Sequence, residues 1–124
     1  MSDLTSTIDT YLAAWNETDP ARRADLVARV WAADGQLTDP PLAAEGHAAI
    51  SEMAAALQGQ FPGHQFRRAS GVDTHHGYLR VAWELVGPDG GVALSGMDVG
   101  EVAPDGRLQR ITGFFGPLPV AESA

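Results

Sequence analysis

Residues 78–115 read YLRVAWELVGPDGGVALSGMDVGEVAPDGRLQRITGFF and contain three strand-like segments separated by two turn sequences. Segments 78–86, 92–102 and 108–115 alternate in the manner of β-strands, and GPDGG and PDG are typical of tight turns. A fourth strand-like segment, 66–72, precedes them. Because short turns join antiparallel neighbours, the stretch predicts an antiparallel β-meander.

The N-terminal part of the chain shows helical periodicity instead. Apolar residues recur at spacings of three and four over residues 3–17, with Tyr11 on the same stripe, and predict a first helix. Residues 19–20 (Asp-Pro) are a helix-start signal, so a second helix is expected from there to the turn signal at 34–35 (Asp-Gly). Trp31 falls on the buried side of this second helix.

A short strand and a third helix complete the predicted elements. Residues 36–39 alternate as a strand that Pro40-Pro41 closes, and residues 46–57 have helical spacing that stops at Gly59. Helices followed by a run of strands predict an α+β fold in which a curved, mainly antiparallel sheet wraps three helices. All 124 residues are expected to form one domain, with residues 118–124 as a loose tail.

Composition argues against several classes of function. Sixteen acidic residues against eight basic ones give a formal charge of −8, which would repel nucleic acid. The absence of cysteine excludes disulfides, a thiol nucleophile and a thiolate metal site. Residues 1–10 lack a signal-peptide pattern and no stretch is long enough to span a membrane, so a cytoplasmic protein without a membrane partner is expected. Arginine as the sole basic residue, with abundant Ala, Gly and Pro, suggests a bacterial source.

Asp98 is the most informative residue, because it lies where strand alternation predicts a buried face. Val92, Leu94 and Val102 share that face. Burial disfavours the charged form of a carboxyl and raises its pKa, which leaves a neutral acid able to donate a hydrogen bond near pH 7. The alternative is a structural role, with Asp98 bonded to a backbone amide or placed at a bulge beside a glycine.

Two further polar groups extend the candidate site. Tyr11 lies on the apolar stripe of the first helix, and Asp39 shares a face with Leu37 at the end of the short strand. Together with Asp98 they predict an active site. The alternatives are a core tyrosine whose hydroxyl reaches the rim and an aspartate that forms the turn before two prolines.

Local sequence then adds a resemblance to a known family. The similar stretches are YLAAWN (11–16), TDP (38–40) followed by GHAAI (46–50), and MD (97–98) followed by GFFG (113–116). In this order and with this succession of elements, the chain resembles the nuclear transport factor 2 (NTF2)-like superfamily, which includes SnoaL-like cyclases and, with the greatest similarity, ketosteroid isomerases. The resemblance covers roughly residues 4–117.

The resemblance implies a cone-shaped fold around an apolar pocket and a specific chemistry. Asp39 corresponds to a proton-shuttling base, and Tyr11 and a neutral Asp98 correspond to the donors that stabilise a dienolate oxygen. The implied activity is proton-transfer isomerisation of a hydrophobic ketone, without metal or organic cofactor. The family often supports its tyrosine with a further tyrosine where this chain has Ala54.

Two other functions stay open, a SnoaL-like polyketide cyclase acting by aldol closure and a non-catalytic module for ligand binding or dimerisation. The expected partners are a small hydrophobic ligand and a second copy of the chain, bound through the outer sheet face. The expected pocket residues are Trp15, Trp31, Leu37, Ile50, Met53, Phe66, Val81, Trp83 and Phe115.

Overall fold

The computed structural model describes residues 3–122. The helices of this part of the chain are α1 (Leu4–Asn16), α2 (Pro20–Val30) and α3 (His47–Gln60). Its strands are β1 (Trp31–Asp39), β2 (Leu42–Glu45), β3 (Gln65–Arg68), β4 (Asp73–His75), β5 (Tyr78–Val86), β6 (Val92–Val102) and β7 (Leu108–Phe115).

The strands form one mixed, curved sheet in the order β2-β1-β7-β6-β5-β3, and β4 pairs with the other end of β5. The predicted meander is present, since β5, β6 and β7 pair antiparallel in sequence. Strand β1 joins this meander in parallel with β7. The three helices pack against the sheet, and the α+β cone predicted from the sequence is confirmed.

Side-chain caps fix helix α1, which carries Tyr11. At its start the Asp3 side chain accepts a hydrogen bond from the Ser6 backbone amide. At its end Nε2 of Gln58, on α3, donates to the backbone oxygens of Trp15 and Glu17. The Asp3 bond stabilises the start of α1, and the two Gln58 bonds join the end of α1 to α3 and so help to fix the position of the helix that carries the tyrosine.

The boundary between α2 and β1 corrects the expectation for Trp31. Helix α2 ends at Val30, and Trp31 begins a strand rather than lying on the helix. The parallel pairing of Trp31 with Leu108 on β7 takes this residue out of the helix, although its spacing continues the apolar stripe. The Asp34-Gly35 signal marks a register shift inside β1, not a helix end.

Three other expectations need correction. Strand β2 was not expected, since its sequence LAAE lacks strand-forming residues, and it forms by pairing with β1. The expected strand 66–72 is shorter in the structure, where β3 ends at Arg68, and a further strand, β4, follows at Asp73–His75. Val92 is 49% exposed, because a register shift between Leu85 and Val86 interrupts the alternation of β6 near its start.

The core lies between the helices and the concave face of the sheet. Its fully buried side chains include Ile8, Val27, Trp31, Leu37, Leu85, Leu108 and Ile111. Residues 118–122 lie outside the helices and strands, and Leu118 and Val120 are almost fully exposed. Among residues 3–122, no helix has the length and apolar character needed to cross a membrane.

Candidate active site

A cavity of about 380 Å³ opens between the helices and the concave sheet face. This volume is at the low end of the range for small-molecule pockets, about 300–1,000 Å³. Its lining is predominantly apolar, and three of its polar groups are Tyr11, Asp39 and Asp98. The other lining residues are Leu12, Trp15, Pro40, Pro41, Leu42, Met53, Leu57, Gln60, Phe61, Phe66, Trp83, Leu94 and Phe115.

Asp98 projects from β6 to the concave side and is only 3% exposed. Its Oδ2 lies 2.7 Å from the Tyr11 hydroxyl, which donates to it when the carboxyl is ionised. Its Oδ1 accepts a hydrogen bond of 3.0 Å from Nε1 of Trp83. Both oxygens of this buried carboxyl are therefore engaged by neutral groups.

A glycine allows Trp83 to reach Asp98. Trp83 on β5 pairs with Gly96 on β6, and a Cβ at Gly96 would overlap the Trp83 ring. Without that Cβ the indole lies over β6 and reaches the carboxyl two residues further along the same face. This contact was missed in the sequence, although a tryptophan opposite a glycine on predicted neighbouring strands was a usable signal.

Asp39 enters the same cavity from the end of β1. The residue is half-buried, and its Oδ1 is fully buried without a hydrogen-bond partner of good geometry among the described residues. A Cβ at Gly113 on β7 would overlap the Asp39 carboxyl and would lie 3.0 Å from Oδ1 of Asp98. The two carboxyls therefore flank one glycine, whose missing side chain leaves room for both.

Burial dominates the electrostatics of the site. It raises the pKa of Asp39 to about 6, partly offset by the nearby backbone amide of Gly113. It also raises the pKa of Asp98 to about 7, against the lowering effect of the Tyr11 hydrogen bond, while the charge of Asp39 raises it further. Burial and the neighbouring carboxylates hold the pKa of Tyr11 well above its ordinary value. Between these two carboxyl pKa values, Asp39 is the more ionised group and Asp98 the more neutral one.

The structure separates the predicted pocket residues into two groups. Trp15, Met53, Phe66, Trp83 and Phe115 line the cavity. Trp31, Leu37, Ile50 and Val81 are buried in the core and do not line it, which corrects their assignment. Periodicity identifies the buried side of an element, but it does not distinguish contact with a cavity from contact with other side chains.

Part of the cavity wall was not predicted from the sequence. Pro40, Pro41 and Leu42 lie beside Asp39, and Leu57 and Phe61 come from the end of α3 and its cap. Their position next to the predicted base in sequence was the signal for the first three. No cluster of three or more side chains suited to holding a metal ion occurs within residues 3–122.

The chain matches the SnoaL-like domain family over residues 8–111. A SnoaL-like family member from Agrobacterium tumefaciens str. C58, provisionally named an isomerase, is 38% identical to it. Its crystal structure has a TM-score of 0.85, over 90% of this chain and 96% of that one. The chain belongs to the SnoaL-like family.

More distant solved structures share the fold. A SnoaL-like protein from Jannaschia sp. CCS1, provisionally named a polyketide cyclase, is 18% identical with a TM-score of 0.67, over 93% of this chain and 89% of that one. A Catenulispora acidiphila protein with a ketosteroid isomerase-like fold, solved with trimethylamine, is 15% identical with a TM-score of 0.72, over 87% and 83%. No curated protein matches the chain significantly.

Proposed function

We propose that the protein is a cofactor-independent isomerase that moves a proton along a hydrophobic ketone through a dienolate intermediate. One observation carries the proposal. On Asp39, a buried carboxylate oxygen that has no hydrogen-bond partner of good geometry among residues 3–122 shares a cavity with the buried pair of Tyr11 and Asp98. A base free to accept a proton beside neutral donors is the combination that enolisation of a ketone needs.

The proposed reaction moves one proton from the substrate to a side chain and back, and needs no other reactant. Ionised Asp39 removes a proton α to the carbonyl, and the electron pair of the broken C–H bond passes into the conjugated system as the carbonyl oxygen becomes a dienolate. Asp39, now an acid, returns the proton to the γ carbon and is ionised again. The Tyr11–Asp98 pair supplies hydrogen-bond donation to the negative oxygen, an effect that is strong in a site with little water.

The cavity favours a compact, uncharged substrate. Two of its polar lining groups are carboxyls, and no basic side chain of the described residues lines it. An anionic substrate would face uncompensated repulsion and a desolvation penalty. Apolar and aromatic side chains make up most of the rest of the wall, and the volume of about 380 Å³ suits a small hydrophobic ketone.

The relatives support an isomerase or cyclase role more broadly. The Agrobacterium relative is provisionally named an isomerase and the Jannaschia relative a polyketide cyclase. An aldol cyclase needs only one acid/base carboxyl. The paired Tyr11–Asp98 donors beside Asp39 favour the isomerase, and the cyclase and the non-catalytic binding module become outcomes of the test.

The test is turnover of a β,γ-unsaturated ketone to its conjugated isomer, followed by absorbance. Asp39→Asn is expected to keep the fold and to lower kcat by about 10²-fold or more, the usual contribution of a general base. Asp25→Asn, at an exposed position on α2, is the matched control and should retain full activity. Equal turnover by Asp39→Asn would remove Asp39 from the reaction, and no turnover by the wild type would favour a cyclase or a binding module.

We also propose a homodimer through the outer face of the sheet. This face carries the exposed side chains of Tyr78 and Met97 beside two ion pairs, Arg80 with Asp73 and Arg110 with Glu101. A surface with both signs of charge can complement a second copy of itself about a twofold axis. A cytoplasmic location and a bacterial source stay predictions from the sequence.

A further inference from the structure

We propose that Trp83 is a positioning residue that makes Tyr11 the direct donor to the substrate oxygen, with Asp98 acting through Tyr11 in one chain of hydrogen bonds. This inference rests on the proposed function in one respect, since the hydrogen-bond chain is directed at the carbonyl oxygen of a ketone. The resemblance implies a different arrangement, in which tyrosine and acid donate to the substrate in parallel.

The hydrogen bond from Trp83 to Asp98 has a fixed direction. An indole Nε1–H can donate a hydrogen bond but cannot accept one. It lies 3.0 Å from Oδ1 of Asp98, so this oxygen is held as an acceptor. The ring cannot easily turn away, because Trp83 is 5% exposed, lies over Gly96 and packs edge-on against Phe66 and Phe115.

The direction of the Trp83 bond also places the proton of the neutral Asp98 carboxyl. Asp98 is buried, and no cationic side chain within residues 3–122 contacts either of its oxygens, which favours its neutral form. Since Oδ1 accepts from Trp83, the carboxyl proton belongs on Oδ2. The oxygen 2.7 Å from Oδ2 is the Tyr11 hydroxyl, which then accepts from Asp98.

The hydroxyl proton of Tyr11 is then available to a ligand. A phenol that accepts through its oxygen keeps its own proton for donation. Tyr11 lines the cavity, so this proton can reach a ligand oxygen there. The order of donation is Trp83 to Asp98, Asp98 to Tyr11, and Tyr11 to the ligand. Each donor in such a chain is polarised by the one before it, which strengthens the last bond.

Trp83→Phe tests the positioning role, because it keeps an aromatic ring and removes the donor. The pKa of Asp98, measured by carbon NMR, should be higher in this variant, because the hydrogen bond from Trp83, which favours the ionised carboxyl, is lost. Binding of a phenol, whose phenolate mimics a dienolate, should weaken about tenfold. Tyr78→Phe, at an exposed position on the same strand and away from the cavity, is the control and should leave the Asp98 titration unchanged.

The wild type supplies a readout that does not depend on folding of a variant. The indole proton resonance of Trp83 should shift with the same midpoint as the Asp98 carboxyl carbon, because ionisation strengthens the bond between them. The positioning role would be overturned if the indole resonance did not shift as Asp98 ionises. It would also be overturned if Trp83→Phe kept the wild-type Asp98 titration and the wild-type phenol affinity.

A double-mutant cycle distinguishes the chain from parallel donation. Asp98→Leu should weaken phenol binding in the wild type but change it less than about twofold in a Tyr11→Phe background, because Asp98 acts through Tyr11. An equal loss of phenol affinity in both backgrounds would show that Asp98 donates directly to the ligand, and it would overturn the proposed hydrogen-bond chain. These measurements need no turnover, so loss of the isomerase proposal through the Asp39→Asn test would leave the hydrogen-bond chain standing, and the reverse also holds.

Discussion

Asp39 and Asp98 are the same residue type in one cavity, yet their surroundings give them different chemistry. Asp98 is bonded through both oxygens to Tyr11 and Trp83, whereas Oδ1 of Asp39 is buried without such a bond to a described residue. Their pKa values are raised to about 7 and about 6, respectively. The two carboxyls interact, so their protons leave in two linked steps. This ordering supports the proposed base role of Asp39 and the proposed donor role of Asp98.

This ordering predicts a narrow, bell-shaped dependence of kcat/KM on pH. Activity should rise as Asp39 loses its proton near its pKa of about 6 and fall as Asp98 loses its proton near its pKa of about 7. Below the first pKa the base is protonated, and above the second the donor is a carboxylate that repels the dienolate. The measurement is ketone isomerisation from about pH 4.5 to 9 at constant ionic strength.

Asp98→Asn is the matched variant for the pH profile. Its amide keeps a hydrogen-bond donor that does not ionise, so the alkaline limb should disappear while the acidic limb, set by the Asp39 pKa of about 6, stays. A wild-type profile that is flat across both carboxyl pKa values, or an alkaline limb that persists in Asp98→Asn, would contradict the assigned roles.

At the scale of elements, glycines in β6 and β7 create the space for the site. Gly96 lies under the Trp83 ring, and Gly113 lies between the two carboxyls. Both positions face the concave side of the sheet, where a Cβ would occupy the volume that the functional side chains use. Because side chains alternate along a strand, the Asp98 carboxyl and the two glycines that leave room around it lie on the same face of the sheet.

The sequence predicts strands β5, β6 and β7 with the bounds that the structure has, because their alternation and turns are local signals. The α2–β1 boundary was wrong, since the strand start at Trp31 depends on pairing with a segment far along the chain. The resemblance predicts that Tyr11, Asp39 and Asp98 share a pocket, and the structure places all three in one cavity. The Trp83 contact depends on a rotamer and an opposing glycine, which periodicity does not encode.

Two glycine substitutions in neighbouring elements should change stability in opposite directions. A Cβ at Gly35 in β1 would crowd the Trp31 ring, so Gly35→Ala should destabilise the protein by about 1–3 kcal/mol, as overpacking does. Gly59 lies near the end of α3, where a Cβ would meet no described atom within 4 Å, so Gly59→Ala should stabilise by about 0.5 kcal/mol. Urea unfolding measures both, and equal effects would contradict the packing around Gly35.

At the scale of the whole molecule, the proposed dimer gives a mass prediction. Sedimentation equilibrium at micromolar concentration should give twice the chain mass of 13.1 kDa. Met97→Glu should shift the protein to monomer, because it buries a charge in the proposed contact without disturbing the fold of the single chain, in which Met97 is 41% exposed.

The control for the dimer is Ala21→Glu, which adds the same charge at an exposed position on α2, in the helical layer. This variant should stay dimeric. A wild type that remains monomeric at high concentration, or a Met97→Glu variant that dimerises as the wild type does, would leave the outer sheet face as a solvent-exposed surface.

The charge of the whole molecule and the charge of the site act together on ligand choice. The net charge of −8 repels anions at long range, and the two cavity carboxyls repel them at short range. A carboxylated phenol should therefore bind more weakly than its methyl ester. Added salt should reduce the part of this affinity difference that comes from surface charge, because the screening length is about 10 Å at 0.1 M. It should leave most of the part that comes from the two buried carboxyls. Titration calorimetry of both ligands at low and high salt measures the two parts, and equal affinity for the acid and its ester would contradict a cavity that selects uncharged ligands.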